Sequence, residues 1–123
     1  MNEDLIDQID KATAAHAMWK AKLILEMEGR SVKIDRQTAK DCHACAFGMW
    51  LDGNKSQLSG NPEFEPIYTR HEAFHQEVGA ILEKIVGGRL AEAKESFQAG
   101  TFRQVSSRLV LDLLRWRDRL EGL

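Results

Sequence analysis

The stretch that decides the fold is PIYTRHEAFHQEVGAILEKIVGG, residues 66–88. Apolar and aromatic side chains recur in it every three or four residues, which is the period of an amphipathic α-helix. Pro66 suits the first turn of such a helix, and Gly87 and Gly88 suit its end. The pattern therefore predicts a long helix over about 66–86 with one buried face. That face carries Ile67, His71, Phe74, Val78, Ile81 and Ile85.

The same period recurs toward both ends of the chain. A first helix is predicted from Asn2, a suitable N-cap, to about Gly29, where a glycine can end it. A short helix closed by Gly100 precedes a last long helix, for which Thr101 is the expected N-cap. The buried stripe of the first helix is Ile9, Ala12, His16, Trp19, Leu23 and Met27. The stripe of the last helix is Val105, Leu109, Leu113, Trp116 and Leu120.

Residues 30–65 break this pattern, being polar and interrupted by glycine and proline. They predict a long crossover with one or two short helices, one of which has Phe47, Trp50 and Leu51 on a single face. No segment alternates apolar and polar residues as a strand does. The fold class is therefore all-α, an antiparallel four-helix bundle with a long crossover containing short helices between the first two long helices. Residues 1–123 are expected to form a single domain.

Composition excludes several classes of function. The chain has 123 residues, 43% of them hydrophobic and 29% charged, and a net charge of −2. It therefore lacks the basic surface that a nucleic-acid-binding protein needs. No apolar run is long enough to span a bilayer, and the acidic N-terminus is no secretory signal, so a cytoplasmic location is expected. A start at Met1 favours a separate protein or an N-terminal domain over a C-terminal receptor tail.

Three histidines fall on or beside the apolar stripes. His16 lies in the first stripe and His71 in the second, and His75 follows His71 by one helical turn. A single histidine on such a stripe is more often a core residue with a hydrogen-bond partner. Two at this spacing, facing a third on another helix, can converge on one metal ion. A shared metal site is therefore predicted.

Nitrogen and sulfur ligands favour zinc over the hard cations, which prefer oxygen. A di-iron site of the hemerythrin kind needs several inward carboxylates. Glu72 stands three residues before His75, but Thr13 occupies the corresponding position before His16. Zinc takes four ligands, so the three histidines leave one position to fill. Cys42, His43 and Cys45 are the candidates for it. Asp41, Glu72 and Asp52 are candidates to hydrogen-bond the ligand histidines.

Three motifs carry a family resemblance. HAMW at 16–19, CAFGMWL at 45–51 and HEAFH at 71–75 occur in the order and at the separations of the chemoreceptor zinc-binding (CZB) domain, which the chain resembles. PEFEPIYTRH at 62–71 is also similar to that family. The likeness extends over nearly the whole chain. It implies a four-helix bundle, often a homodimer, of the kind found in bacterial chemoreceptors and some diguanylate cyclases.

The resemblance also implies the ligands and the role of the site. Cys45 matches the family cysteine because it precedes Gly48 by three residues and Trp50 by five, whereas Cys42 and His43 match no required position. The implied Zn²⁺ ligands are His16, Cys45, His71 and His75. Site-wall packing is expected from Trp19, Phe47, Gly48 and Trp50. Cys42 is either a redox partner of Cys45 or an incidental exposed cysteine, and His43 is expected to face solvent.

The function expected from this site is regulatory. Four protein ligands leave zinc no position for a substrate water, so the chain is not expected to be an enzyme. The family implies sensing of zinc, or of oxidants such as hypochlorous acid through the cysteine thiolate, and signalling to an output domain or to a partner in a chemotaxis or cyclic-di-GMP pathway. The alternatives are a structural-zinc dimerisation module and, less favoured, a hemerythrin-like bundle. A homodimer is also expected, because the apolar stripe of the last helix is expected to exceed what one bundle can bury.

Overall fold

A computed structural model describes residues 2–30 and 34–122. Within them it contains seven α-helices and no β-strand, so the predicted all-α class is confirmed. The helices are α1 (Asn2–Met27), α2 (Arg36–Ala39), α3 (Ala46–Gly53), α4 (Lys55–Leu58), α5 (Phe64–Val86), α6 (Leu90–Gln98) and α7 (Thr101–Leu120). None of these helices is long and apolar enough to cross a membrane.

Helices α1, α5, α6 and α7 pack against one another and form the bundle. Their predicted apolar stripes lie at its centre, with Trp19, Ile85, Val105 and Leu120 partly buried and the other stripe residues buried. Two ion pairs join the helices at the rim. Arg117 Nε lies 2.7 Å from an oxygen of Asp10, joining α7 to α1, and Arg70 Nε lies 3.1 Å from Asp112, joining α5 to α7.

The last helix corrects one prediction. Leu109, Leu113 and Trp116 are each 0% exposed, because α7 packs against α1, α5 and α6. The idea that this stripe exceeds what one bundle can bury is therefore wrong. The apolar residues that α7 leaves exposed are on another face, at Leu111 and Leu114.

Helix boundaries differ from the predictions at two places. Helix α5 begins at Phe64, two residues before Pro66, and the proline is tolerated because the first-turn N–H groups of a helix have no partner within it. Helix α7 has Gly100 as its N-cap, so the prediction that Thr101 caps it is wrong. A side chain at position 100 would bring its Cβ to 3.0 Å from the Cα of Ser96, which explains the glycine.

The crossover between α1 and α5 contains three short helices, one more than the sequence indicates. Helix α1 ends at Met27, close to Gly29, whose φ of 82° is accessible to glycine at little cost. Helix α2 then packs against α5, and α3 against the same helix. The crossover therefore lies along α5, which brings the cysteines near the histidine pair.

Candidate metal centre

Four side chains from three parts of the chain meet inside the bundle. His16 comes from α1, His71 and His75 from α5, and Cys45 from the residue just before α3. One ligand atom from each lies within 4.8 Å of all the others. Ligand atoms around a tetrahedral zinc are about 3.5 Å apart, so only a small inward movement separates this cluster from a filled site.

The three histidines each present a buried nitrogen with no protein partner. Nε2 of His16, His71 and His75 is buried and accepts or donates no hydrogen bond. The rings are 2%, 2% and 1% exposed, and their centroids lie 4.7 to 5.7 Å apart. Leaving a buried polar atom unpaired is destabilising, and doing so three times at one point is unusual. A metal ion accepting all three lone pairs removes this penalty, so the residues fit the ion.

Backbone carbonyls hold two of the rings in place. Nδ1 of His16 donates to the carbonyl oxygen of Ala12 at 2.6 Å, and Nδ1 of His75 donates to that of Ala39 at 2.8 Å. A hydrogen on Nδ1 leaves the lone pair of Nε2 free for a metal. The carboxylates considered from the sequence do not take this role for these two rings.

Burial keeps the histidines neutral. It lowers the pKa of His16 to about 4 and, together with the nearby rings of His16 and His75, lowers that of His71 to about 2. The pKa of His75 is also lowered, again mainly by burial. All three imidazoles are therefore uncharged at neutral pH, which is the form that binds a metal.

Aromatic rings surround the cluster. The ring of Phe47 packs edge-on against His71 at 5.2 Å, and that of Trp19 approaches His75 at 6.4 Å. Trp50 stacks on the outer side of Phe47, with 6.2 Å between the ring centroids. Phe74, which sequence reasoning placed only in the core, lies 4.9 Å from the ring of His16. Its position on the stripe beside His75 was the available signal.

Gly48 allows the crossover to reach the site. A Cβ at this buried position would lie 1.7 Å from the carbonyl oxygen of Cys42 and 3.2 Å from Cε1 of His71. Any side chain here would overlap the backbone of the loop that carries Cys45. The glycine is therefore explained by a close approach of two backbone segments beside a ligand ring.

The other two candidates in the loop have distinct surroundings. Cys42 is 7% exposed, so its interpretation as an incidental exposed cysteine is wrong. Burial, followed by the charges of Glu72, Asp41 and Asp52, raises the pKa of its thiol. Its role as a redox partner of Cys45 stays a prediction. His43 is exposed, as expected, and its Nδ1 lies 2.7 Å from Oδ2 of Asp52.

A four-helix bundle with three histidines and one cysteine at its centre defines a class of metal-binding helical domain. The chemoreceptor zinc-binding domain family matches residues 16–82, more than half of the chain, and the chain belongs to this family. No curated protein and no solved structure gives a significant match. The family and the donor set agree on zinc as the cofactor. A di-iron site is not favoured, because Glu72 points to solvent and no carboxylate joins the cluster in the described residues.

Proposed function

We propose that this chain is a regulatory zinc domain in which His16, Cys45, His71 and His75 hold the ion and Cys45 responds to oxidants or to zinc supply. The observation that carries the proposal is the convergence of three orphaned imidazole nitrogens on one thiol. Four ligands complete a tetrahedral shell, so no coordination position remains for a substrate water. We therefore do not expect hydrolytic activity at this ion.

Cys45 is the least buried member of the ligand set. Cys45 is partly buried, whereas the three histidines are almost fully buried. Bound zinc keeps the sulfur as a thiolate, which is the nucleophilic form of cysteine. The sulfur of Cys45 therefore meets a small oxidant before the histidines do.

Hypochlorous acid is a suitable oxidant for this sulfur. The thiolate electron pair of Cys45 forms an S–O bond to the hydroxyl of the oxidant, the O–Cl bond breaks, and chloride leaves. Sulfur loses two electrons, chlorine gains them, and the product is a sulfenic acid. The sulfenic acid is a poorer metal ligand than the thiolate, so the crossover loses its link to the histidines.

Release of Cys45 has a defined structural consequence. Cys45 is the N-cap of α3, and its side chain makes no capping hydrogen bond. The rest of the crossover is held by other contacts, including the bond from His75 to the carbonyl of Ala39. Oxidation is therefore expected to free the start of α3 while α2 stays docked on α5. An output domain or a partner of a chemotaxis or cyclic-di-GMP pathway, in the cytoplasm, is the proposed receiver of this change.

A structural zinc in a dimerisation module is the second candidate. Leu111 and Leu114 are 38% and 45% exposed and lie three residues apart, so they share one face of α7. We propose this face as the contact between two copies. Leu114→Glu is expected to shift a dimer to a monomer in size-exclusion chromatography with light scattering. Val86→Glu, at another exposed apolar position, serves as the control. A dimer that persists in Leu114→Glu excludes this face.

Zinc titration with competing chelators tests the ligand assignment. Cys45→Ser is expected to weaken zinc binding by two orders of magnitude or more, whereas Cys42→Ser and His43→Ala retain the tight site. Tight binding that survives in Cys45→Ser and disappears in Cys42→Ser overturns the assignment.

One equivalent of hypochlorous acid, with a colorimetric zinc indicator, then tests oxidant sensing. Rapid release from wild type is expected. Zinc that stays bound after oxidation, and that chelators remove only by unfolding the protein, indicates a structural ion instead.

A further inference from the structure

A second group of metal-binding side chains lies at the surface of the crossover. Asp41, Cys42 and His43 each offer a ligand atom, and these atoms lie within 4.8 Å of one another. None of them belongs to the inner cluster of His16, Cys45, His71 and His75. Asp41 and His43 are exposed and Cys42 is buried, so the group lies at the boundary between the core and solvent.

A carboxylate holds one ring nitrogen of His43, as it does in many metal-binding histidines. In the neutral ring, Nδ1 donates to Oδ2 of Asp52 at 2.7 Å and the lone pair of Nε2 is available to a metal. The other oxygen of Asp52 accepts a hydrogen bond from the hydroxyl of Tyr68 on α5. A carboxylate that fixes the ring through the nitrogen opposite the metal is the common outer partner of a zinc-bound histidine. The two inner rings held by Ala12 and Ala39 use carbonyls for the same purpose.

The charge around Cys42 favours a cation. Burial raises the pKa of its thiol most, and the negative charges of Glu72, Asp41 and Asp52 add to this effect. A lone thiolate is therefore unfavourable there. A divalent cation offsets this negative charge and displaces one proton from the thiol to solvent. An imidazole, a thiolate and a carboxylate together are ligands that zinc accepts, and calcium and magnesium do not prefer them.

We infer that Asp41, Cys42 and His43 form a second Zn²⁺ site, oriented by Asp52 and separate from the inner one. Three protein ligands leave a position for water, and two of the three side chains are exposed. The outer ion therefore binds more weakly than the inner ion and exchanges faster. The chain then holds one tight and one exchangeable zinc, so its response to zinc supply extends over two concentration ranges.

The number of bound zinc ions tests this inference. Wild-type protein, titrated with Zn²⁺ against chelators of graded affinity and checked by native mass spectrometry, is expected to bind two ions. Cys42→Ser and His43→Gln are expected to lose the second ion and keep the first. Asp52→Asn is expected to weaken only the second, by about 10- to 100-fold. Asp7→Asn, at an exposed carboxylate on α1, is the control and is expected to change neither.

Cobalt substitution gives a second measurement that does not depend on zinc counts. Wild type with two Co²⁺ is expected to show thiolate-to-metal absorption from two cysteines, and Cys42→Ser from one. A single bound ion in wild type overturns the inference. A second ion that persists in both Cys42→Ser and His43→Gln shows an adventitious ion only. An unchanged second affinity in Asp52→Asn overturns the role of that carboxylate.

The inner and outer sites can fail independently. Cys45→Ser is expected to weaken the inner ion and leave the affinity of the outer ion unchanged, so an error in the inner assignment does not imitate an error in the outer one. Circular dichroism of each variant separates a lost ligand from a lost fold. His43 and Asp52 are exposed, and their replacement is not expected to disturb the core.

Discussion

Gly48→Ala is the substitution for which the structure gives the sharpest expectation. The new Cβ lies 1.7 Å from the carbonyl oxygen of Cys42 and 2.8 Å from its carbonyl carbon. A carbon and an oxygen in contact are usually about 3.3 Å apart, so the carbonyl must retreat by about 1.6 Å. No rotamer change can relieve this overlap, because both atoms belong to the backbone or to Cβ. Cys45 follows in the same loop and its thiol must move as well.

The size of the effect follows from the overlap. Overpacking of this kind destabilises proteins by about 1–3 kcal/mol. If the loop relieves the overlap by moving away from α3, zinc binding must restore the docked position, and the free energy of zinc binding becomes less favourable by this amount. At 1.4 kcal/mol for each factor of ten, the zinc affinity falls by about 5- to 150-fold. The helices that carry the histidines stay in place, because α1 and α5 also pack against each other and against α7.

Gly53→Ala provides the matched control. Gly53 is the last residue of α3, and a Cβ there meets nothing within 4 Å. Its zinc affinity should equal that of wild type, and its stability should be equal or higher by about 0.5–1 kcal/mol. Chelator competition measures the affinities, and urea denaturation measures the stabilities. Wild-type zinc affinity in Gly48→Ala would refute the idea that this close approach positions Cys45.

Three further predictions concern protons and packing. In the zinc-free protein, the free energy of unfolding measured with urea should fall by about 2 kcal/mol for each of His16 and His71 between pH 8 and pH 5. The unfolded chain takes up protons near pH 6.5, whereas the folded rings have pKa values of about 4 and about 2. A free energy of unfolding that does not change with pH contradicts this. The hydrogen bond to Asp52 raises the pKa of Tyr68, the one tyrosine of the chain, to about 12. Absorbance at 295 nm should therefore show that Tyr68 ionises at a higher pH in wild type than in Asp52→Asn, where the pKa should lie nearer 10. Equal titrations in the two proteins mean that this bond is absent in solution. Leu113→Ala should lower the free energy of unfolding, measured with urea, by about 2–5 kcal/mol, and Leu111→Ala should lower it by less than about 0.5 kcal/mol in the monomer. Equal losses contradict the assignment of Leu113 to the buried face and Leu111 to the exposed face.

Much of the bundle was predictable because its signal is local. The stripes repeat at the helical period, and burying them requires the long helices to pack together. The zinc ligands were harder, because spacing within α5 indicates His71 and His75 but does not say which crossover residue reaches them. The choice of Cys45 came from the family motif, and no period or charge pattern distinguished it from Cys42.

The remaining features depend on distances between parts far apart in the chain. The carbonyls of Ala12 and Ala39 carry no signal in the sequence, since every residue has one. No local pattern reveals the burial of Cys42 or the close approach of its carbonyl to Gly48. The burial of the apolar stripe of α7 also depends on how many helices surround it. Hydrophobicity alone therefore overestimated the apolar surface that α7 leaves exposed.

The bond from His75 to the carbonyl of Ala39 determines which changes the crossover can accept during evolution. A carbonyl group is present whatever the side chain, so substitution at position 39 leaves the acceptor in place as long as the new residue fits. The length of the segment between Ala39 and Cys45 is more constrained, because five residues must connect that carbonyl to the ligand cysteine. We therefore expect natural and laboratory variants to tolerate substitutions between positions 39 and 45 far better than an insertion or a deletion there.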